Sequence, residues 1–148
     1  MNVEDIIKTK KEIPLKPRTL IHMELVHSRI NEIMTGALKP YEVSLQQFNV
    51  LRILRGQLGN PANLSTINER MVTKMSNTTR LVDKLISKGY VHRYVCPSNR
   101  RKVEILITDS GLEALTQMDM ALEEAHNILL KNFNTEDLKQ LNQLLDKF

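Results

Sequence analysis

Ser76, Asn77, Thr79, Arg80, Lys84 and Lys88 fall on one side of a short helical repeat whose other side is Thr78, Leu81, Val82, Leu85 and Ile86. Apolar residues at three- and four-residue spacing bury one face, so the polar set must point outward. Short hydrogen-bonding groups then sit at the helix start, and cations lie along its flank and end. That combination suits base edges and phosphates, and such a helix can enter a major groove N-terminus first. A second constellation follows in Pro97-Ser98-Asn99-Arg100-Arg101, where turn-forming residues place two adjacent cations, Arg100 and Arg101, at a hairpin tip.

The elements that must hold these groups are legible on either side. Gly89 reads as the C-terminal stop of the polar-faced helix. After it, Val91, Arg93 and Val95 alternate with His92, Tyr94 and Cys96 as a strand, and Val103, Ile105 and Ile107 answer on the return strand. Upstream, Ser44 with Gln47 forms a capping-box start for a helix whose Phe48, Leu51 and Leu54 or Ile53 face inward, until Gly56 and Gly59 loosen the chain. Asn60-Pro61 makes a loop, and Ser65 is read as the cap of a short helix carrying Ile67 and Met71. That helix and the one beginning at Ser76 form a helix-turn-helix. The segment 44–108 is therefore read as a DNA-reading region.

Longer stripes flank it. Met23, Val26, Ile30, Ile33 and Ala37 recur at alternating spacings of three and four, before Gly36 and Pro40 mark fraying and an end. Thr108 or Asp109 can cap a long helix carrying Leu112, Leu115, Met118, Leu122, Ala125 and Leu129. After Asn134-Thr135, a last helix carries Leu138, Leu141, Leu145 and Phe148. A small reading region does not need these stripes for its own core, so the segments of about 17–40 and 109–148 are read as dimerisation helices. The polar leader up to about Lys16 offers few anchors and is read as mobile or draped on a partner.

Composition bounds the rest. The 148 residues fit a single domain able to bury a core. Net charge is +4, yet residues 70–105 hold nine Lys or Arg against Asp83 and Glu104, a local +7 that leaves −3 over the remainder. Phosphate neutralisation is a use for cations so concentrated. No apolar run approaches the ~20 residues that span a bilayer, and the N-terminus does not read as a secretory signal, so the expectation is a cytoplasmic protein with no membrane contact. The single cysteine, Cys96, excludes an intramolecular disulfide and fits a reducing compartment.

The run Ser76-Asn77-Thr78-Thr79-Arg80-Leu81-Val82-Asp83-Lys84-Leu85, then Lys88-Gly89-Tyr90-Val91, Asn99-Arg100-Arg101 and Leu106-Ile107-Thr108-Asp109-Ser110-Gly111, resembles the winged helix-turn-helix regulators of the MarR family. Leu45-Gln46-Gln47-Phe48-Asn49-Val50-Leu51 matches that family's second helix, and the resemblance covers residues 20 to 147. It implies a mainly α fold with a small β-hairpin wing, and long N- and C-terminal dimerisation helices. It further implies a homodimer on double-stranded DNA, acting as a repressor of a pseudo-palindromic operator. Release by a small aromatic or apolar anionic ligand also comes from the resemblance alone. The implied DNA-binding residues are Ser76, Asn77, Thr79, Arg80, Lys84, Arg100 and Arg101. Where the family usually carries Asp in the wing, this chain has Asn99, which removes a carboxylate partner for the wing arginine.

Other chemistries are weaker. No Gly-rich phosphate loop or nucleophile motif is present, so no catalytic residue and no cofactor is expected. His22, His27, His92 and His126 lack ligand spacing; the first two stand about 140° apart around a helix, so no metal site is assigned. A metal-sensing regulator remains an alternative, as does a redox-sensing one in which Arg93 and Arg100 acidify Cys96. An inward strand cysteine is more often a small core residue. The alternative from another class is a winged-helix protein-interaction module, against which the donor-rich helix start of Asn77, Thr79 and Arg80 argues.

Overall fold

The computed structural model describes residues 2–73, 77–96 and 99–148, with the side chains of residues 99–102 excepted. The elements are α1 (Val3–Ile6), α2 (Leu15–Leu38), a 3-10 turn (Lys39–Tyr41), α3 (Leu45–Arg55), α4 (Leu64–Arg70), α5 (Thr78–Ser87), β1 (Val91–Cys96), β2 (Asn99–Ile107), α6 (Asp109–Leu130) and α7 (Thr135–Leu145). This mainly helical architecture with one two-stranded antiparallel hairpin is the winged helix-turn-helix read from the sequence. Two compact units can be separated: Met34–Leu122, and the residues up to Ile33 together with Glu123–Phe148. Among the described residues, no helix is long and apolar enough to cross a membrane.

In the Met34–Leu122 unit, α3 begins where the capping box places it. Ser44 Oγ accepts from the Gln47 N–H at 3.2 Å, and Gln47 Oε1 accepts from the Ser44 N–H at 2.8 Å. Two otherwise orphaned donors are thereby satisfied. Phe48, Val50, Leu51, Ile53 and Leu54 are buried, and Gly56 closes the helix. The cap of α4 is Asn63, not Ser65. Asn63 has the extended backbone a cap requires and accepts from the Thr66 N–H at 2.9 Å. Ser65 already lies inside the helix, where its hydroxyl donates to Glu69 Oε1 at 3.0 Å. Ile67 and Met71 are buried as read.

The sheet departs from simple alternation. β1 and β2 pair in register from Val91↔Ile107 to Val95↔Val103, after which an irregularity brings Cys96 opposite Asn99. Of the alternating set Val91, Arg93 and Val95, only Val91 is buried; Arg93 and Val95 are exposed, and Cys96, read as an inward strand cysteine, is buried. A bulge shifts the side-chain period, so residues on either side of it no longer obey one alternation. Ala62 adds an unforeseen bridge to Ile105, exchanging backbone hydrogen bonds of 2.9 and 2.7 Å. Ile105 is wholly buried there, in a core with Leu51, Leu54, Val82, Leu85, Leu115 and Met118.

In the other unit, the leader is anchored rather than loose. Asn2 caps α1, Val3 is wholly buried, and Glu4 takes two hydrogen bonds from the Arg18 guanidinium at 2.7 and 3.0 Å. Those bonds hold the Glu4 carboxyl below its ordinary pKa. α2 starts at Leu15, so Pro17 falls in the first turn, where its missing N–H costs nothing. The helix also runs through Gly36 rather than fraying there, and stops at Leu38 before Pro40. α7 opens with a capping box in which Asn134 Oδ1 accepts from the Asp137 N–H at 2.9 Å and Asp137 accepts in return at 3.0 Å.

Candidate nucleic-acid interface

α5 is held by its inner face and its two ends. Thr78, Val82 and Leu85 are buried, with Leu81 and Ile86 half-buried, which is the apolar face read from spacing. Thr78 is polar yet satisfied, because its hydroxyl donates to Asn68 Oδ1 of α4 at 3.1 Å. That bond joins the two helices of the helix-turn-helix. At the far end, the Gly89 N–H donates to the Ile86 carbonyl and the Tyr90 N–H to the Leu85 carbonyl, at 2.9 and 3.0 Å. This Schellman arrangement needs a left-handed residue, which Gly89 supplies at φ +75°.

The outer face carries the groups expected to meet DNA. Asn77 is the N-cap, its Oδ1 accepting from the Arg80 N–H at 3.3 Å, so one side-chain oxygen of the reading set serves the helix itself. Thr79, Arg80 and Lys84 are exposed, and Arg80 and Lys84 form no ion pair with a described residue. Ser76 lies outside the described residues, as does the start expected for this helix. The observed helix begins two residues later, at Thr78.

Asp83, exposed on α5, has a partner on the wing. It accepts from the Arg93 guanidinium of β1 at 2.6 Å, tying α5 to the wing. Lys88 likewise pairs with Glu42, before α3, at 3.4 Å. Neither pair has a local sequence signal, since the partners are 10 and 46 residues apart. Arg100 and Arg101 have backbone places on β2, while the turn residues Pro97 and Ser98 and the two arginine side chains lie outside the described set. Next to the wing, the Tyr94 phenol is pushed above its ordinary pKa by desolvation first, then by the Glu104 carboxylate across the strand pair. Cys96 is buried at 8% exposure. Among the described residues, no group of three or more His, Cys, Asp or Glu side chains could hold a metal.

Comparison with known proteins meets this geometry at the same place. The model of the family described as MarR matches residues 43–103, from just before α3 through the hairpin. The multiple antibiotic resistance protein MarR of Escherichia coli is 28% identical over 130 residues, covering 86% of this chain and 87% of that protein. The HTH-type transcriptional repressor IacR of Pseudomonas putida is 25% identical over 121 residues, covering 82% and 71%. Among solved structures, a MarR-like transcription regulator from Bacillus cereus shares the fold with a TM-score of 0.79 at 24% identity, over 90% of this chain and 96% of that one. A mutant MarR from Escherichia coli, complexed with operator DNA, matches with a TM-score of 0.75 at 26% identity, over 90% and 93%.

Proposed function

We propose that this chain, which belongs to the MarR family of winged helix-turn-helix transcriptional regulators, acts as a homodimeric cytoplasmic repressor that covers a pseudo-palindromic operator. The observation that carries the reading is α5 itself. Its inner face is locked into the core, and its outer face offers Asn77, Thr79 and Arg80 at the N-terminal end, with Lys84 further along, to a major groove. A relative named as a repressor and a neighbour complexed with operator DNA support the same direction. Arg100 and Arg101 of the wing are assigned to the adjacent minor groove, where arginine follows groove width and negative potential.

The homodimer is supported by apolar surface that one chain leaves in water. Met23, Val26 and Ile30 of α2 are 36%, 41% and 38% exposed, and Leu141, Leu145 and Phe148 at the C-terminus are 37%, 45% and 86% exposed. Apolar side chains in helical register and open to solvent are an association surface before they are anything else. Two subunits would then present two copies of α5 about one DNA turn, ~34 Å, apart. Release by a small aromatic or apolar anion completes the reading and rests on family resemblance.

The deciding experiment is binding of the purified protein to fragments of its source genome across a range of salt. Sequence-selective binding that weakens with salt supports the regulator. Binding to no fragment above the non-specific level would favour the protein-interaction module.

A further inference from the structure

Thr108, at the foot of the wing, uses one hydroxyl twice. Its Oγ1 accepts from the Gly111 N–H at 2.9 Å, capping the first turn of α6, and its O–H donates to the Gly89 carbonyl at 2.7 Å. The Thr108 backbone N–H also donates to the Tyr90 carbonyl at 3.0 Å. Gly89 and Tyr90 are the residues that terminate α5. Gly111 closes the same joint by its lack of a side chain: a Cβ there would lie 2.2 Å from the Tyr90 carbonyl oxygen and 2.9 Å from Ile107 Cγ1. An N-cap needs only the acceptor function. The donor half of the hydroxyl and the glycine approach do something else, which is to hold the end of the reading helix against the start of α6.

The first half of α6 belongs to the same compact unit as α5. Leu115, Met118 and Leu122 are buried there, and the Tyr41 hydroxyl donates to the Gln117 carbonyl at 3.1 Å. The joint therefore links α5 to the first turns of α6 within that unit. α5 has ten residues, about 15 Å at 1.5 Å per residue, so a tilt of about 10° at its Gly89 end carries its Asn77 end through about 2.6 Å. Successive base pairs are about 3.4 Å apart. Modest slack at Thr108 thus amounts to most of a base-pair step at the reading end.

We propose that Thr108 and Gly111 are positioning residues for operator recognition, fixing the angle between α5 and α6 and thereby the half-site spacing that the protein accepts. The proposal rests on the homodimeric reading. Its test uses fluorescein-labelled synthetic duplexes, selected from a random pool by the wild-type protein, then rebuilt with the central spacer longer or shorter by one base pair. Wild type and Thr108→Ser, which keeps the hydroxyl, should favour the selected spacing equally. Thr108→Val and Gly111→Ala should lose discrimination between spacings by about two- to tenfold, the factor one ordinary hydrogen bond corresponds to. Their base preference within a half-site should persist. Thr108→Asp retains a capping acceptor but, ionised, has no donor for the Gly89 carbonyl, and it carries the test should the other two variants fold poorly. A merely structural role would lower affinity by one factor at every spacing. That result, in folded variants, would overturn the proposal alone; selection of duplexes without paired half-sites would overturn the homodimeric reading and the proposal with it.

Discussion

Replacing Arg80 by Ala should move stability and DNA binding in opposite directions. Arg80 occupies the third position of α5, counted from the Asn77 cap, and its backbone N–H donates to that cap whatever side chain it bears. The guanidinium is exposed and has no ion pair among the described residues. A cation in the first helical turn opposes the helix dipole by about 0.3–1 kcal/mol, and Ala is the better helix former, so the variant should melt no lower than wild type. In the groove the balance reverses. Loss of a bidentate guanine contact costs about 1–3 kcal/mol per half-site, hence about 2–6 kcal/mol for a dimer if the two sites add. At 1.4 kcal/mol per tenfold, affinity should fall between about thirtyfold and about twenty-thousandfold. Fluorescence anisotropy on a selected duplex, beside a thermal melt, measures both. Wild-type affinity in a fully folded Arg80→Ala protein would remove α5 from the groove; reduced affinity with a lowered melting temperature would mean that Arg80 supports the fold instead.

Three further substitutions probe the neighbouring parts. Asp83→Asn breaks a half-exposed ion pair worth about 0–1 kcal/mol to stability once solvent screening is counted. It also removes a carboxylate from the reading face, so binding should tighten and its salt dependence steepen by up to about 0.9 log units per subunit. Weaker binding in a salt titration would show that the Arg93 link is needed to seat α5. Arg101→Ala should lower affinity across many operators and flatten the salt dependence by about one phosphate equivalent per wing, with half-site preference retained; a changed base preference in a selection experiment would contradict a minor-groove role. Deleting residues 135–148 should give monomer or aggregate by light scattering and abolish two-half-site binding, and a soluble dimer of unchanged affinity would refute the association surface placed on α7.

What was legible in the sequence was chemistry that closes over three or four residues. Ser44 and Gln47 cap each other within one turn, Gly89 supplies its own left-handed turn, and the buried face of α5 follows from spacing alone. What was missed depended on partners far along the chain. Asn63 and Ser65 both carry capping oxygens two residues apart. Asn63 is the one with extended backbone, and Ala62 beside it is bridged to Ile105. Likewise, Val3 and Glu4 look unanchored until Arg18 folds within reach. In β1, a strict alternation places Val95 on the same side as the buried Val91, but the irregular ladder leaves Val95 exposed, while Cys96 is buried as an inward strand cysteine should be.

Charge along the chain needed the same correction, and it changes where the positive field of the reading head lies. Residues 70–105 carry a formal +7 when counted from the sequence, with cations from Arg70 at the end of α4 through α5 to the wing. Folding pairs Arg93 with Asp83, and pairs Lys88 at the C-terminal end of α5 with Glu42, an acid from outside the counted stretch. Arg80 and Lys84 keep their charge toward solvent. The helix dipole adds about half a positive charge at the N-terminus and about half a negative one at the C-terminus. Arg80 and the backbone dipole therefore make the Asn77 end of α5 positive, while Lys84 carries its charge into the last turn. In the proposed complex an anionic groove would draw that end in first, while the end at Lys88 and Gly89 would stay with the protein, where its backbone is already committed to Thr108.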